Sequence, residues 1–194
     1  ILSGLVFKEY NSNFEKGIKI LKIVVEKFFD NDGCPMNRNI YDLVQCSKFL
    51  VLIKECCKDA QEYIPDFLDD IVDKHINCLF SLQTPTNKNP LFNGASEFKL
   101  DKYLEYLAGL EYKSNDAKNN ISQIYIVRSK KNLLFFDAGS PPEKKYSKNY
   151  QSGPLSFEYF IDNNKIITNC GFGNKISKKI ELISRLTSAQ STLC

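Results

Sequence analysis

The chain has 194 residues, a formal net charge of +3 and 43% hydrophobic residues. This length and apolar fraction are enough to bury a core, so general disorder is excluded. The small net charge does not indicate a nucleic-acid partner, and no apolar run reaches the ~18 residues that a membrane-spanning helix needs. Seven cysteines, an odd number without a CxxC pair, favour buried thiols over a disulfide framework or a zinc knuckle.

Up to about residue 112, apolar residues recur at helical spacing. They predict four helices that pack on one another through one apolar face each. The four stretches are Phe14–Phe28, Leu43–Cys57, Leu68–Leu79 and Leu100–Leu110. His75, the one histidine of the chain, lies in the third stretch. We expect it to be a buried, neutral histidine bonded to a backbone carbonyl rather than a catalytic group.

After Asn119 and Asn120 the apolar period changes to two, which is typical of strands. Ile121–Arg128 and Asn132–Asp137 predict one pair of strands, and Pro154–Ile161 and Lys165–Cys170 predict a second pair. The third of these strands alternates, with Leu155, Phe157, Tyr159 and Ile161 on one face and Ser156, Glu158 and Phe160 on the other. Strands joined in a row by hairpin turns favour an antiparallel sheet that forms one side of a sandwich.

The two parts also differ in charge. Residues 121–194 contain 11 Lys and Arg against 5 Asp and Glu, a net charge of +6, which leaves −3 for residues 1–120. A basic sheet beside a mildly acidic helical part fits an anionic ligand held near the sheet. Alternatively, the lysines only flank solvent-facing strands and protect their edges from aggregation.

The chain begins with Ile1 and ends with the apolar, strand-like Thr192–Cys194. We therefore expect a fragment that lacks sequence at both ends, in which the absence of a signal peptide carries no information.

Several motifs, taken together in their order, resemble the heparinase II/III-like family. Their likeness extends from about residue 20 to residue 194. They are Asp32–Gly33 followed by Asn37–Asn39, the loop Leu91–Gly94, the run Gly153–Glu158, the strand end Ile167–Gly171 and the segment Arg185–Leu193.

This resemblance implies an α+β fold. Residues 1–118 would be the C-terminal part of an (α/α) toroid-type helical domain, and residues 119–194 the N-terminal part of an antiparallel β-sandwich domain. It also implies a polysaccharide lyase that cleaves uronate-containing polymers by β-elimination, with Tyr and His as the usual acid and base. Several family members hold a structural zinc ion through His and Asp.

The sequence departs from the family pattern at the residues that carry this chemistry. Where the family has His, this chain has Asn149, Gln151, Gln190 and Pro35, and where it has the adjacent Asp, this chain has Gly153. Amides do not titrate near neutral pH, and they do not replace imidazole and carboxylate as zinc ligands. We therefore expect no zinc or other cofactor at these positions. Gln and Asn still form hydrogen bonds, so a sugar-binding groove could survive.

Two residues remain as catalytic candidates. Arg38 could hold a carboxylate or sulfate group bidentately, or it could pair with a nearby acid such as Asp42. Tyr150 could stack on a sugar ring or act as a base if a cation lowered its pKa, or it could simply pack against the next strand. The candidate substrate-binding residues are Asn37, Asn93, Asn149, Gln151 and Gln190.

Three functions stay open from the sequence. The first is a heparinase II/III-like lyase, and the second is a catalytically altered relative that binds an anionic glycan or cell-envelope polymer without cleaving it. The third is an enzyme of the same fold that uses different residues on a different glycan. The first two predict an anionic polysaccharide or oligosaccharide as the partner. The resemblance implies a periplasmic location, whereas the odd number of cysteines fits a reducing compartment better.

Overall fold

The computed structural model describes residues 1–114 and 117–192. The helices are α1 (Leu2–Val6), α2 (Asn11–Phe28), α3 (Ile40–Asp59), α4 (Asp66–Ser81), α5 (Asp101–Gly109) and α6 (Lys178–Ser184). The strands are β1 (Asn120–Ile121), β2 (Ile124–Arg128), β3 (Asn132–Asp137), β4 (Phe157–Ile161) and β5 (Asn164–Ile167). Short 3₁₀ turns cover Lys8–Tyr10, Lys144–Tyr146, Gly173–Lys175 and Thr187–Ala189. A helical segment followed by an antiparallel sheet confirms the predicted α+β class.

The four predicted helices are present as α2 to α5, and local chemistry sets where they begin. The side chain of Asn39 caps α3 by accepting from the backbone N–H groups of Tyr41 (2.9 Å) and Asp42 (3.3 Å). Pro65 precedes α4, where its fixed φ suits the entry to a helix. Helices α3 and α4 bury eight residues each, whereas α2 buries none, so α3 and α4 form the centre of the helical part.

The five strands form one antiparallel sheet in the order β1-β2-β3-β4-β5. The single strand predicted over Ile121–Arg128 is wrong, because a two-residue turn divides it into β1 and β2. Ser122 and Gln123 in this turn both have positive φ, 51° and 67°, as a type I′ hairpin turn requires. Neither residue is Gly or Asn, the residues that usually indicate such a turn, so the turn could not be predicted from residue type.

Strand β4 buries the face that carries its polar residues. Glu158 and Phe160 are fully buried, whereas Leu155 and Ile161 on the opposite face are exposed. One oxygen of the buried Glu158 carboxylate is hydrogen-bonded, since Oε1 accepts from the backbone N–H of Leu91 (3.2 Å) and from the Thr168 hydroxyl (3.0 Å). The other oxygen, Oε2, forms an ion pair with Lys165 Nζ at 3.3 Å. Because Leu91 belongs to the helical part, this buried acid joins that part to the sheet.

One hydrophobic core extends through both parts of the chain. It includes Leu43 and Val72 from the helices and Ile124, Phe135 and Phe160 from the sheet. The division at residues 118 and 119 falls between the end of α5 and the start of β1, and it stays a prediction. Among the described residues, no helix is both long and apolar enough to cross a membrane. The predicted strand-like end at Leu193 and Cys194 lies outside the described residues.

Candidate functional site

Arg38 lies in the loop between α2 and α3 and reaches across to the end of β3. Its Nε donates to Asp137 Oδ1 (3.1 Å) and its Nη2 to Asp137 Oδ2 (3.4 Å), so the pair is bidentate. The carbonyls of Ser140 and Gly139 accept from Nη1 (2.9 Å) and Nη2 (3.1 Å). A Cβ atom at Gly139 would lie 2.3 Å from the guanidinium carbon, so only glycine fits there. The partner of Arg38 is therefore Asp137, not Asp42.

Asp137 is the centre of this arrangement, and the sequence analysis missed it. It is almost fully buried at the last position of β3. Beyond Arg38, its Oδ2 accepts from Asn93 Nδ2 (2.8 Å) and its Oδ1 from the backbone N–H of Gly139 (3.0 Å). The available signal was a single carboxylate at the end of an otherwise apolar strand, which needs a buried partner if it faces inward.

Asn93 joins the loop after α4 to this centre. Its backbone carbonyl accepts from Asn39 Nδ2 (3.2 Å), so the residue that caps α3 is also tied to the site. The next residue, Gly94, has φ +85°, and a Cβ atom there would lie 2.1 Å from the carbonyl oxygen of Asn149. The predicted residues Arg38, Asn93 and Asn149 are thus brought together where the helical part meets the sheet.

Tyr150 lies beside Arg38, with its hydroxyl buried and without a hydrogen bond to any described residue. Burial raises the pKa of this hydroxyl, and the positive charge of Arg38 only partly opposes the rise. The tyrosine therefore keeps its proton at neutral pH and does not fit the role of a base with a lowered pKa. The role that remains for it is that of a proton or hydrogen-bond donor.

A pocket of about 230 Å³ adjoins this centre and is lined by both Asn37 and Asn149. Lys145 and Lys148 also line it, together with the carboxylate of Asp42. Lys145 is paired with Glu143 at 3.0 Å, so Lys148 is the ammonium group of the lining without an ion pair to a described residue. Asn37 is held by a hydrogen bond from its Nδ2 to Asp42 Oδ2 (2.9 Å). Such groups match the hydroxyls and anionic groups of an acidic sugar, since amides bond to hydroxyls and ammonium groups bond to carboxylates or sulfates.

Gln151 and Gln190, which occupy two of the family's histidine positions, contact each other and not this pocket. Gln151 is buried, and its Nε2 donates to the carbonyl of Gly171 (2.9 Å) while its Oε1 accepts from Gln190 Nε2 (3.3 Å). Gln190 Nε2 also donates to the carbonyl of Ser184 (2.7 Å). The two amides therefore link three segments of the chain, and they are used within the protein rather than presented to a ligand.

The residues at the implied zinc position do not fit a zinc ion. Gln151 Nε2 and Gln190 Nε2 both act as donors to carbonyls, and a Cβ atom added at Gly153 would lie 3.3 Å from Gln190 Cγ. No imidazole or carboxylate occupies these positions, and zinc sites are built from such groups or from thiolates. Within residues 1–114 and 117–192, no group of three or more His, Cys, Asp and Glu residues is arranged to hold a metal ion.

His75 is buried on α4, away from this site, as the sequence predicts. The expected bond to a backbone carbonyl is wrong, because neither ring nitrogen has a hydrogen-bond partner among the described residues. The ring instead packs edge-on against Phe29, with ring centroids 4.6 Å apart. Burial lowers the pKa of His75 to about 3, so the imidazole is neutral at physiological pH.

Comparison with known proteins gives one family match, over the C-terminal part of the chain. Residues 115–194 match the family model described as heparinase II/III-like, C-terminal. None of the curated proteins matches the chain by sequence.

Solved structures share the fold over nearly the whole chain. A heparan sulfate lyase, HepC from Pedobacter heparinus, matches 99% of this chain with a TM-score of 0.79 and 18% identity. A heparinase III, the BT4657 gene product, matches 97% with a TM-score of 0.81 and 16% identity. A further heparinase III matches 97% with a TM-score of 0.76 and 13% identity.

The chain spans about a third of the length of these structures, which are covered to 35%, 34% and 36%. The shared fold confirms the expected helical segment of toroid type followed by a β-sandwich segment. The family match is thus confined to residues 115–194, while the shared fold extends over nearly the whole chain.

Proposed function

We propose that this protein is a polysaccharide lyase for uronate-containing polymers and that the described residues supply its substrate-binding part. The proposal is carried by the pocket in which Asn37, Asn149, Lys145 and Lys148 meet beside the Arg38–Asp137 pair. The neighbouring structures described as heparan sulfate lyase and heparinase III support the class of substrate.

The reaction would be a β-elimination on the uronate. A base removes the proton at C5, the electron pair forms the C4–C5 double bond, and the bond from C4 to the glycosidic oxygen breaks as that oxygen takes up a proton. Charge that develops on the uronate carboxylate must be stabilised. Lys145 and Lys148 would supply positive charge for it, and the amides of Asn37 and Asn149 would supply hydrogen-bond donors.

Tyr150 would act as the proton donor to the leaving oxygen. Its hydroxyl keeps its proton because burial raises its pKa, and it makes no hydrogen bond to a described residue. Arg38 would not contact substrate, since its guanidinium is committed to Asp137 and to two carbonyls. It would act on Tyr150 through its positive charge, which opposes the rise in the pKa of the tyrosine.

A second function is favoured by the glutamines at the family's histidine positions. Gln151 and Gln190 cannot exchange protons near neutral pH and are bonded within the protein. A protein with these residues would bind an anionic glycan without cleaving it.

One experiment separates the two functions. The full protein is incubated with heparan sulfate and with alginate, and the unsaturated uronate product is followed by its ultraviolet absorbance. We expect product formation that falls about a hundredfold or more in Tyr150→Phe, in line with the loss of a general acid. The control is Tyr159→Phe, which removes the hydroxyl that donates to Asn132 on the sheet and should leave the rate unchanged.

Binding of the same polymers is measured in parallel with Lys148→Ala and the exposed Lys144→Ala as a matched pair. Product formation that is equal in both tyrosine variants would contradict the role of Tyr150. Binding that weakens only in Lys148→Ala, without product from any polymer, would contradict the lyase and establish the non-cleaving function. Absence of both product and binding would contradict both functions.

A further inference from the structure

A second polar pocket, of about 410 Å³, lies at the tips of two neighbouring hairpins. One wall is the β2–β3 turn, from Arg128 through Lys130 and Lys131, and the other is the β4–β5 turn at Asp162 and Asn163. The sheet register places the two turns side by side, because Asn132 pairs with Ile161.

The charge of this pocket is positive and mostly uncompensated. Lys130 and Lys131 are exposed, and neither makes an ion pair with a described residue. Arg128 adds a third cation, against the single carboxylate of Asp162. An anion that enters the pocket would therefore meet two ammonium groups, of Lys130 and Lys131, that need not give up a protein partner first.

Hydrogen bonds hold the walls in place. The backbone N–H of Ser129 donates to the carbonyl of Asn132 (2.8 Å), and the Ser129 hydroxyl accepts from the Asn132 N–H (3.1 Å). The Asp162 N–H donates to the Lys131 carbonyl (2.6 Å), which fixes one hairpin tip to the other. Binding to a wall that is already ordered loses less conformational entropy than binding to a free loop.

Arg128 anchors the pocket to the helical part. Its guanidinium donates to the carbonyls of Lys118 (3.1 Å) and Ser81 and to Asn119 Oδ1 (3.2 Å). Its charge is thus held at a fixed position by neutral acceptors, which leave it uncompensated. This differs from Arg38, whose charge is balanced by Asp137.

The pocket is separate from the candidate site. β3 begins at Asn132, in the pocket, and ends at Asp137, in the site. Six residues of a strand extend over about 17 Å at the usual rise of about 3.3 Å per residue. A ligand group in one place therefore does not occupy the other.

We propose that this hairpin-tip pocket is a second binding site, which takes the sulfate or carboxylate groups of an acidic oligosaccharide. The inference rests on the proposed function, because it assigns a further contact for the same class of polymer. The amides of Asn132 and Asn163 match sugar hydroxyls. The lining contains no aromatic ring on which a nucleic-acid base could stack. A polymer held here would stay near the candidate site and raise its local concentration there.

The test uses sucrose octasulfate, a compact sulfated sugar, with the full protein and isothermal titration calorimetry. We expect the double variant Lys130→Ala/Lys131→Ala to bind it about tenfold more weakly, as the loss of two charge-assisted contacts implies. The matched control is Lys178→Ala/Lys179→Ala, which removes the same charge from an exposed lysine pair on α6. This control should bind as the unchanged protein does.

Three results would overturn the inference: no binding by the unchanged protein, equal binding by all three proteins, or an equal loss in both double variants. The last would show that only net charge matters. The lyase assay is independent of this result. Octasulfate binding that is lost only in Lys130→Ala/Lys131→Ala, with no polymer cleaved, would uphold the second site and contradict the lyase. If the polymers are cleaved but all three proteins bind octasulfate equally, the lyase is upheld and the second site is contradicted.

Discussion

Two buried polar places in this protein are built in opposite ways. At the Arg38–Asp137 centre, the buried cation and the buried carboxylate are bonded to each other and to further polar groups. At His75, a fully buried imidazole has no hydrogen-bond partner among the described residues and packs against Phe29. The first place is an ion pair within a hydrogen-bond network, while the second stays neutral because burial lowers the pKa of the imidazole.

The difference shows how a buried polar group can be tolerated. A charge in the interior is stable when opposite charge and hydrogen bonds replace the lost water. A titratable group without such partners avoids the cost of burying a charge by remaining uncharged. The first solution is sensitive to mutation of either partner, and the second is sensitive to pH.

The largest expected effect comes from breaking the charged pair. Asp137→Asn keeps the shape of the side chain but leaves the Arg38 charge buried without its counter-ion, so the free energy of unfolding should fall by about 3–5 kcal/mol. Urea denaturation measures this. Asp162→Asn, at an exposed position without an ion pair to a described residue, should change stability by less than about 0.5 kcal/mol. If Asp137→Asn lowers the free energy of unfolding by no more than Asp162→Asn does, the carbonyls of Gly139 and Ser140 are enough to stabilise the buried charge of Arg38.

A smaller effect is expected from acid at His75. The unfolded chain protonates His75 below the ordinary pKa of 6.5, while the folded chain does so only near 3. The stability that neutral His75 permits is therefore complete above pH 6.5 and is lost as the pH falls towards 3. Between pH 7 and pH 5 this amounts to about 2 kcal/mol, at 1.36 kcal/mol for each pKa unit.

The measurement is urea denaturation at several pH values for the unchanged protein and for His75→Leu. Since the chain has one histidine, the variant should lose most of the pH dependence between 7 and 5, whatever its absolute stability. An unchanged slope would mean that His75 is already charged, or bonded to a water molecule, in the folded state.

The smallest effect is expected at Gln190, where both the donor and the acceptors of the hydrogen bonds are uncharged. Gln190→Ala removes the bonds to Ser184 and Gln151, which should lower the free energy of unfolding by about 1 kcal/mol. Ser188→Ala, at an exposed position of the same segment, serves as the control. A chelator should not shift the midpoint of either protein, because amides and carbonyls make this network. A drop in midpoint with chelator would indicate a bound metal.

Local structure was predictable from the sequence, and long-range pairing was not. The apolar residues at helical spacing correctly predicted α2 to α5, because this spacing reflects the burial of one face of each helix. The family motifs indicated Arg38 and Asn93. They did not indicate Asp137, because its partner Arg38 is 99 residues away and nothing in the apolar strand shows which face turns inward.

Strand β4 is a second case in which the sequence pattern does not show which face is buried. Alternation correctly separates its two faces, but the face with Glu158 is the buried one. The partners of Glu158 favour this orientation: the N–H of Leu91, the Thr168 hydroxyl and the Lys165 ammonium group. Leu91 is 67 residues away in the sequence, and a period of two carries no information about such a partner.

The long sequence separations at the candidate site have a consequence for the order of folding. Arg38 and Asp137 are 99 residues apart, and Asn93 and Asp137 are 44 apart. Contacts that close such long loops form slowly compared with helical turns. During refolding, helical circular dichroism should therefore return before the site is assembled, and a nascent chain would carry the loop of Arg38 long before its partner strand is made.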